Sequence, residues 1–122
     1  MGKKYRGRAA DLIQTHLTDL LQTQVNDPRL SMVTITGVEV TPDTRRADVY
    51  ITALGGADTK EEVLAGLQSA AGFLRRELGH RIRLRNTPEL VFHWDESFER
   101  GERIDLLLEQ IKDDLNGEPE AE

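Results

Sequence analysis

The sequence of 122 residues contains no cysteine, and this absence excludes several kinds of chemistry. Without cysteine the chain has no disulfide framework, no thiolate nucleophile and no cysteine-ligated metal. Long hydrophobic runs are also lacking, since no stretch approaches the ~18–20 consecutive apolar residues of a membrane-spanning helix. The basic start MGKKYRGRAA is not followed by the apolar segment of a secretory signal. We therefore expect a soluble, cytoplasmic protein without a membrane segment.

Motifs for catalysis or cofactor binding are lacking as well. The two glycines at 55–56 do not begin a phosphate-binding or dinucleotide-binding motif, and no nucleophile can be matched with a base. His93 and Asp95 would point the same way from a predicted strand and could ligate a metal with Glu96 or Glu99. One histidine with unpatterned carboxylates is a weak signal, so a metal-dependent hydrolase ranks last among the functions considered. The sequence thus predicts no enzymatic activity, no metal, no cofactor and no small-molecule substrate.

Hydrophobic periodicity predicts one α+β domain with a three-stranded sheet. Two β-branched segments joined by the polar turn TPDTRR predict an antiparallel hairpin, with Gly37 as a candidate bulge. A helical crossover before the third strand favours parallel pairing of the second and third strands. Phe92 and Trp94 alternate on the third strand and are expected to fill the core. In chain order the predicted elements are a helix at 8–24, strands at 33–40 and 47–53, a helical region that starts near Thr59, a strand at 89–95, and an amphipathic helix with Ile104, Leu107, Leu108, Ile111 and Leu115.

The second helical region is irregular in two places. One face of the helix would be apolar and would carry Leu74, Leu78 and Ile82. Arg81 and Arg85 would fall on that same apolar face, so the helix is expected to loosen between 79 and 83 and to leave RIRLR partly extended. Gly72 costs about 1 kcal/mol relative to alanine inside a helix. This glycine indicates close helix packing, a tolerated kink, or a break that redirects the arginine-bearing helix.

Charge is unevenly distributed along this acidic chain. The sequence has 16 basic and 22 acidic residues and a net charge of −6, but 12 of the acidic and only 3 of the basic residues lie in 89–122. Arginine is the preferred phosphate partner because its planar fork donates two parallel hydrogen bonds and keeps its charge. Five arginines form a cluster within eleven positions: Arg75, Arg76, Arg81, Arg83 and Arg85. This arginine cluster indicates either a nucleic-acid surface or a solvated helix face that pairs with the acidic C-terminal segment.

The order helix–strand–strand–helix–helix–strand matches a type II KH domain, a fold that binds RNA. KH domains carry a G-x-x-G loop between the paired helices, which clamps backbone nucleotides. Here the junction reads Ala70-Ala71-Gly72, and this A-x-G helix kink is the mark of the bacterial ribosome-binding factor A (RbfA) family, which the chain closely resembles. The resemblance spans about Lys4 to Ile111 and rests on the stretches KKYRGRAADLIQ, NDPRL, TPDTRRADVYI, LGHRIRLRNTPELVFHWDES and RIDLLLEQI.

The resemblance implies a fold and a function. The fold is a type II KH-like domain over residues 1–112, with helices packed on one face of the sheet and a C-terminal helix, followed by an acidic tail over 113–122. The function is that of a cytoplasmic, monomeric, non-enzymatic assembly factor. Such a factor binds the immature 30S ribosomal subunit and its 16S ribosomal RNA, assists maturation of the 5′ end of that RNA, and supports growth in the cold. The alternative is a protein-interaction module that docks a partner through its terminal helix and acidic face, without direct RNA contact.

The resemblance also implies a set of RNA-binding residues. Because the G-x-x-G loop is missing, contacts with the shape and phosphates of folded RNA are expected rather than the clamping of a single strand. The implied helix kink is formed by Ala70, Ala71 and Gly72. The implied RNA-binding residues are Arg75, Arg76, His80, Arg81, Arg83 and Arg85, with Lys3, Lys4, Arg6, Arg8, Arg45 and Arg46 as secondary members.

Overall fold

A computed structural model describes residues 7–97, in which a three-stranded sheet packs against two helices. The elements are α1 (Arg8–Thr23), β1 (Val33–Val40), β2 (Arg46–Ala53), α2 (Lys60–Arg81) and β3 (Glu89–Trp94), with short 3-10 helices at Pro28–Leu30 and Gly56–Thr59. The predicted α+β class is confirmed. The predicted C-terminal helix and acidic tail lie outside the described residues. Between residues 7 and 97, no helix is long and apolar enough to cross a membrane.

The strands pair in the predicted order and directions. β1 is antiparallel to β2, and the register between them shifts between Ile35 and Gly37, which confirms the predicted bulge. β3 is parallel to β2, with Trp94 opposite Ile51. Since α2 connects two parallel neighbouring strands, it must cross the sheet, and this places its last turn near the starts of β2 and β3.

One face of the sheet and the facing sides of both helices form a single hydrophobic core. Trp94 is buried and Phe92 packs against the core, as their alternation on the third strand predicts. Full burial of one aliphatic side chain contributes roughly 1.5–3 kcal/mol, so the many buried side chains of this core fix both helices against the sheet. Its largest fully buried aliphatic side chains are Ile13, Leu17, Leu20, Ile51, Leu67, Leu74 and Leu78.

α2 is one uninterrupted helix of 22 residues, whereas the sequence predicts two helices that meet at Gly72. Leu67 and Leu74 are fully buried on either side of this position. Their burial outweighs the cost of about 1 kcal/mol that a glycine adds to a helix interior, so the helix continues through Ala70, Ala71 and Gly72. Apart from its chain neighbours and the backbone of its own helix, a Cβ added to Gly72 would meet no described atom within 4 Å. Close packing within residues 7–97 therefore does not require this glycine.

The end of α2 agrees with the prediction that the helix loosens between 79 and 83. The helix ends at Arg81, and Ile82 has an extended backbone with φ −132° and ψ 145°. The N–H of Ile82 still donates to the carbonyl of Leu78 at 2.9 Å, which closes the last turn. The chain therefore leaves the helix before Arg85 would reach the apolar face.

Candidate nucleic-acid interface

The segment 82–88 carries two arginines away from α2 on an extended backbone. Ile82 and Leu84 are half-buried against the core, whereas Arg83 and Arg85 are exposed. Successive side chains of an extended chain point to opposite sides, and this explains the alternation. The apolar pair holds the segment to the protein, so both arginines project into solvent from an anchored backbone.

Thr87 ties this segment back onto α2. The Nε and NH2 groups of Arg75 donate to the Thr87 carbonyl at 3.2 and 3.0 Å. Gly79 lies against the same residue, because a Cβ at this position would be 3.1 Å from the Thr87 Oγ1. Arg75 was predicted only as an RNA contact, and the structure gives it a second role in holding the segment.

Asn86 ties the segment to the turn between β1 and β2. Its side-chain Nδ2 donates to the carbonyl of Asp43 at 2.9 Å, and its backbone N–H donates to Thr44 Oγ1 at 3.0 Å. Thr44 has a positive φ of 56°, a conformation that non-glycine residues adopt rarely and at some cost. These bonds hold the turn in that conformation beside the segment 82–88.

The segment 82–88 and the turn between β1 and β2 enclose one polar groove. We name it the turn–loop groove, and Arg45, Arg75, Asn86, Thr87 and Glu89 line it. The sequence indicates no more than a turn at NTP, because the partners of Asn86 and Thr87 lie 43 and 12 residues away. Only the fold shows that Arg45 and Arg75 share a site.

Four of the predicted cations are available to a ligand. Arg8, Arg76, Arg83 and Arg85 are exposed. None of the four side chains has a hydrogen bond or an ion pair with any residue between 7 and 97. Positive charges without a partner on an acidic chain are the electrostatic feature expected of a surface that meets phosphate.

Arg81 is less available than predicted, whereas His80 is exposed. Arg81 donates to the carboxylate of Asp19 on α1 at 2.7 Å, and its side chain is only 27% exposed. This ion pair lets an arginine on the apolar side of α2 reach the surface at the end of the helix. His80 lies 3.8 Å from the carboxylate of Glu77. Arg81 thus contributes to the packing of α1 against α2.

Arg46 lies on the sheet face opposite the core, apart from the cations of α2. Its Nε and NH2 groups donate to Oδ1 of the fully buried Asp48 at 3.2 and 2.9 Å, and these bonds raise the pKa of Arg46. His93 Nε2 lies 2.7 Å from the same oxygen, and its ring stacks on Tyr50 with centroids 5.0 Å apart. Arg46 therefore belongs to a structural cluster that the sequence analysis missed, although a lone aspartate between apolar strand residues was a signal for it.

The metal-binding interpretation of His93 and Asp95 gains no support from the geometry. His93 contacts Asp48, whereas Asp95 accepts a hydrogen bond from Thr36 Oγ1 at 2.5 Å. In the part of the chain that the structure describes, no group of three His, Asp or Glu side chains could hold a metal ion. The predicted cations Lys3, Lys4 and Arg6, and the candidate ligand Glu99, lie outside the described residues.

Comparison with known proteins identifies relatives over most of the chain. The family model described as ribosome-binding factor A matches residues 5–108. The ribosome-binding factor A of Aromatoleum aromaticum is 45% identical over 104 residues, which is 85% of this chain and 82% of that protein.

Solved structures agree with this comparison. The crystal structure of ribosome-binding factor A from Thermus thermophilus has a TM-score of 0.64 at 28% identity, and the match covers 73% of this chain and 97% of that one. A homology model of the Thermus thermophilus factor, fitted into the cryo-EM map of a 30S–RbfA complex, has a TM-score of 0.62 at 28% identity and covers 75% and 98%. The predicted KH-like fold is thereby confirmed.

Proposed function

Because the chain belongs to the ribosome-binding factor A family, we propose that it is an assembly factor that binds the immature 30S ribosomal subunit through 16S ribosomal RNA. The related Thermus thermophilus factor, placed in a map of a 30S complex, supports the choice of partner. In this proposal the protein acts in the cytoplasm as a monomer and performs no chemistry of its own. It assists maturation of the 5′ end of 16S ribosomal RNA, including in the cold.

The observation that carries the RNA contact is the set of unpaired arginines at the end of α2. Arg76, Arg83 and Arg85 are exposed and have no side-chain partner between residues 7 and 97, in a chain whose net charge is −6. A phosphate backbone is a suitable partner, because neutralising it releases condensed counterions and supplies affinity. Arg46 and Arg81 are bound to carboxylates and contribute less to this surface.

Sedimentation with 30S subunits tests the proposal directly. The full chain is expected to co-sediment with immature 30S particles, to be released as salt is raised, and to be lost from the fast fraction after ribonuclease treatment. Sedimentation that survives ribonuclease and is insensitive to salt would instead support the protein-interaction module. No co-sedimentation under any salt condition would refute both the RNA contact and the 30S partner.

The role in maturation needs a separate measurement in cells. Cells that lack the protein are expected to accumulate 16S ribosomal RNA with an unprocessed 5′ end, and to do so more strongly at low temperature. Mapping the 5′ ends by primer extension at two temperatures measures this. Normal processing at both temperatures would remove the maturation role and leave the binding proposal intact.

A further inference from the structure

We propose that the turn–loop groove binds one phosphodiester group of the RNA backbone, held by Arg45 and Arg75, and that Asn86 positions the two walls of the groove. This inference rests on the proposed function, because it specifies one point at which the bound RNA meets the protein. Each of these side chains is prepared for that contact in a different way.

Arg75 presents a fixed guanidinium to the groove. Its Nε and NH2 groups are bound to the Thr87 carbonyl at 3.2 and 3.0 Å, and its NH1 group has no acceptor in the described part of the chain. The bonds that are made fix the plane of the guanidinium, so NH1 keeps two donors with little orientational freedom left to lose. A phosphate oxygen is the acceptor that suits such a donor.

Arg45 presents an exposed guanidinium from a backbone that two hydrogen bonds fix. Its N–H donates to Asp43 Oδ1 at 3.0 Å and its carbonyl accepts from the N–H of Glu89 at 2.8 Å. Its side chain is 73% exposed and lies 3.6 Å from the Asp43 carboxylate, a loose contact. The backbone bond from Arg45, with a hydrogen bond from Thr41, lowers the pKa of Asp43, so this carboxylate stays ionised and holds Arg45 near the groove.

Asn86 determines whether the two arginines share one groove. It donates to the Asp43 carbonyl and to Thr44 Oγ1, and these bonds span the two walls. Without the side chain of Asn86, the turn that carries Arg45 would lose one of these ties to the segment beside Arg75. We therefore assign Asn86 a positioning role that acts through Arg45.

A substitution at Glu89 is expected to change the affinity in the opposite direction to the arginine variants. Glu89 is one of the residues that line the groove, and its negative charge would repel a bound phosphate. Two arginines and one glutamate line the groove, and the ionised Asp43 lies 3.6 Å from Arg45, so the two carboxylates offset the two guanidinium charges and each of them opposes a bound phosphate. Removing the glutamate charge is therefore expected to strengthen binding, which no loss of structure would do.

The experiment measures equilibrium binding of the full chain to 30S subunits across a series of salt concentrations. Arg45→Gln is expected to lower the slope of log affinity against log salt by about 0.7 to 0.9, the effect of one lost phosphate contact. Glu89→Gln is expected to tighten binding a few-fold at low salt, since removing a like charge at a separation of about 7 Å in water corresponds to about threefold. The matched control is Glu61→Gln, which removes the same charge at a position about 21 Å along α2 from Arg75. This variant is expected to leave affinity unchanged.

Asn86→Ala adds a readout that a general structural role would not move. It is expected to weaken binding in the wild-type background and to have no further effect in the Arg45→Gln background, because it acts through Arg45. Equal losses in both backgrounds would overturn the positioning role.

If Arg45→Gln leaves the salt slope unchanged while wild-type binding remains salt-dependent, the groove is not a phosphate site and the proposed function still stands. If wild-type binding itself has no salt dependence, the proposed RNA contact fails.

Discussion

Replacing Arg76 and Arg83 together with glutamine tests whether the free arginines contact RNA. Both side chains are exposed and make no hydrogen bond or ion pair between residues 7 and 97, so their loss removes no such contact of the described fold. Glutamine has a helix propensity similar to that of arginine and removes the charge. The free energy of unfolding is therefore expected to change by no more than about 0.5 kcal/mol.

The expected loss of affinity follows from counterion release. Each phosphate contact contributes about 0.7 to 0.9 to the slope of log affinity against log salt. Two lost contacts should lower that slope by about 1.4 to 1.8. The electrostatic contribution is taken as zero at about 1 M salt, so the two proteins have equal affinity there. Over the tenfold decrease to 0.1 M salt, the difference in slope makes the variant bind about 25- to 60-fold more weakly than wild type.

Fluorescence anisotropy of labelled protein titrated with 30S subunits at several salt concentrations gives both the affinity and the slope. The matched control is the double variant Gln22→Glu with Gln24→Glu, which changes the net charge by the same two units at exposed positions near the end of α1. An equal weakening in the control would show that net charge, rather than contact, sets the affinity. An unchanged slope in the arginine variant would refute the assignment of these two residues.

Two further predictions concern stability. Gly72→Ala is expected to raise the free energy of unfolding by about 1 kcal/mol. Gly66→Ala should raise it less or lower it, because the added Cβ would lie 3.1 Å from the Leu30 side chain. Urea unfolding of both variants shows which one is more stable, and equal gains would contradict the prediction. Hydrogen bonds from Arg29 lower the pKa of Asp27 below its usual 3.8, so the stabilisation by this contact is present above that pH and lost as pH falls through the lowered pKa. The difference in unfolding free energy between wild type and Asp27→Asn should therefore be largest well above pH 3.8 and shrink as the pH falls through the lowered pKa of Asp27, and a difference that stays constant over the whole acid titration would argue against it.

Local patterns were sufficient to predict the sheet and the pairing of its strands, but neither the continuity of α2 nor the partners of the charged side chains. Gly37 marked the bulge, and the crossover predicted the parallel pairing of β2 with β3, because these features depend on neighbouring residues and on a chirality rule. The pairing of Arg81 with Asp19 joins residues 62 apart. No periodicity encodes such a contact. The same holds for the binding of Arg75 to Thr87, so the sequence could locate the arginine cluster without separating its structural members from its free ones.

The error about Gly72 has a different physical origin. A glycine in a helical pattern signals a cost of about 1 kcal/mol, and the sequence cannot show whether flanking burial exceeds that cost. Leu67 and Leu74 are both fully buried, and the helix is continuous. A break was one of the three interpretations of this glycine, beside close helix packing and a tolerated kink, and tertiary packing keeps the helix continuous.

A continuous helix makes the presence of Gly72 harder to explain by structure alone. The residue is exposed, no described atom beyond its chain neighbours and its own helix backbone would contact its Cβ within 4 Å, and alanine would stabilise the helix. Gly72 lies one turn before Arg75 and Arg76, so it shares their side of α2, and a methyl group there would stand between the helix backbone and a ligand bound to Arg76. If RNA approaches the backbone at this point, Gly72→Ala raises stability and lowers affinity for 30S subunits in the same protein. If the glycine has no role in binding, stability rises and affinity is unchanged. Because a damaged fold would lower both quantities, a gain in one with a loss in the other can come only from the contact with the ligand.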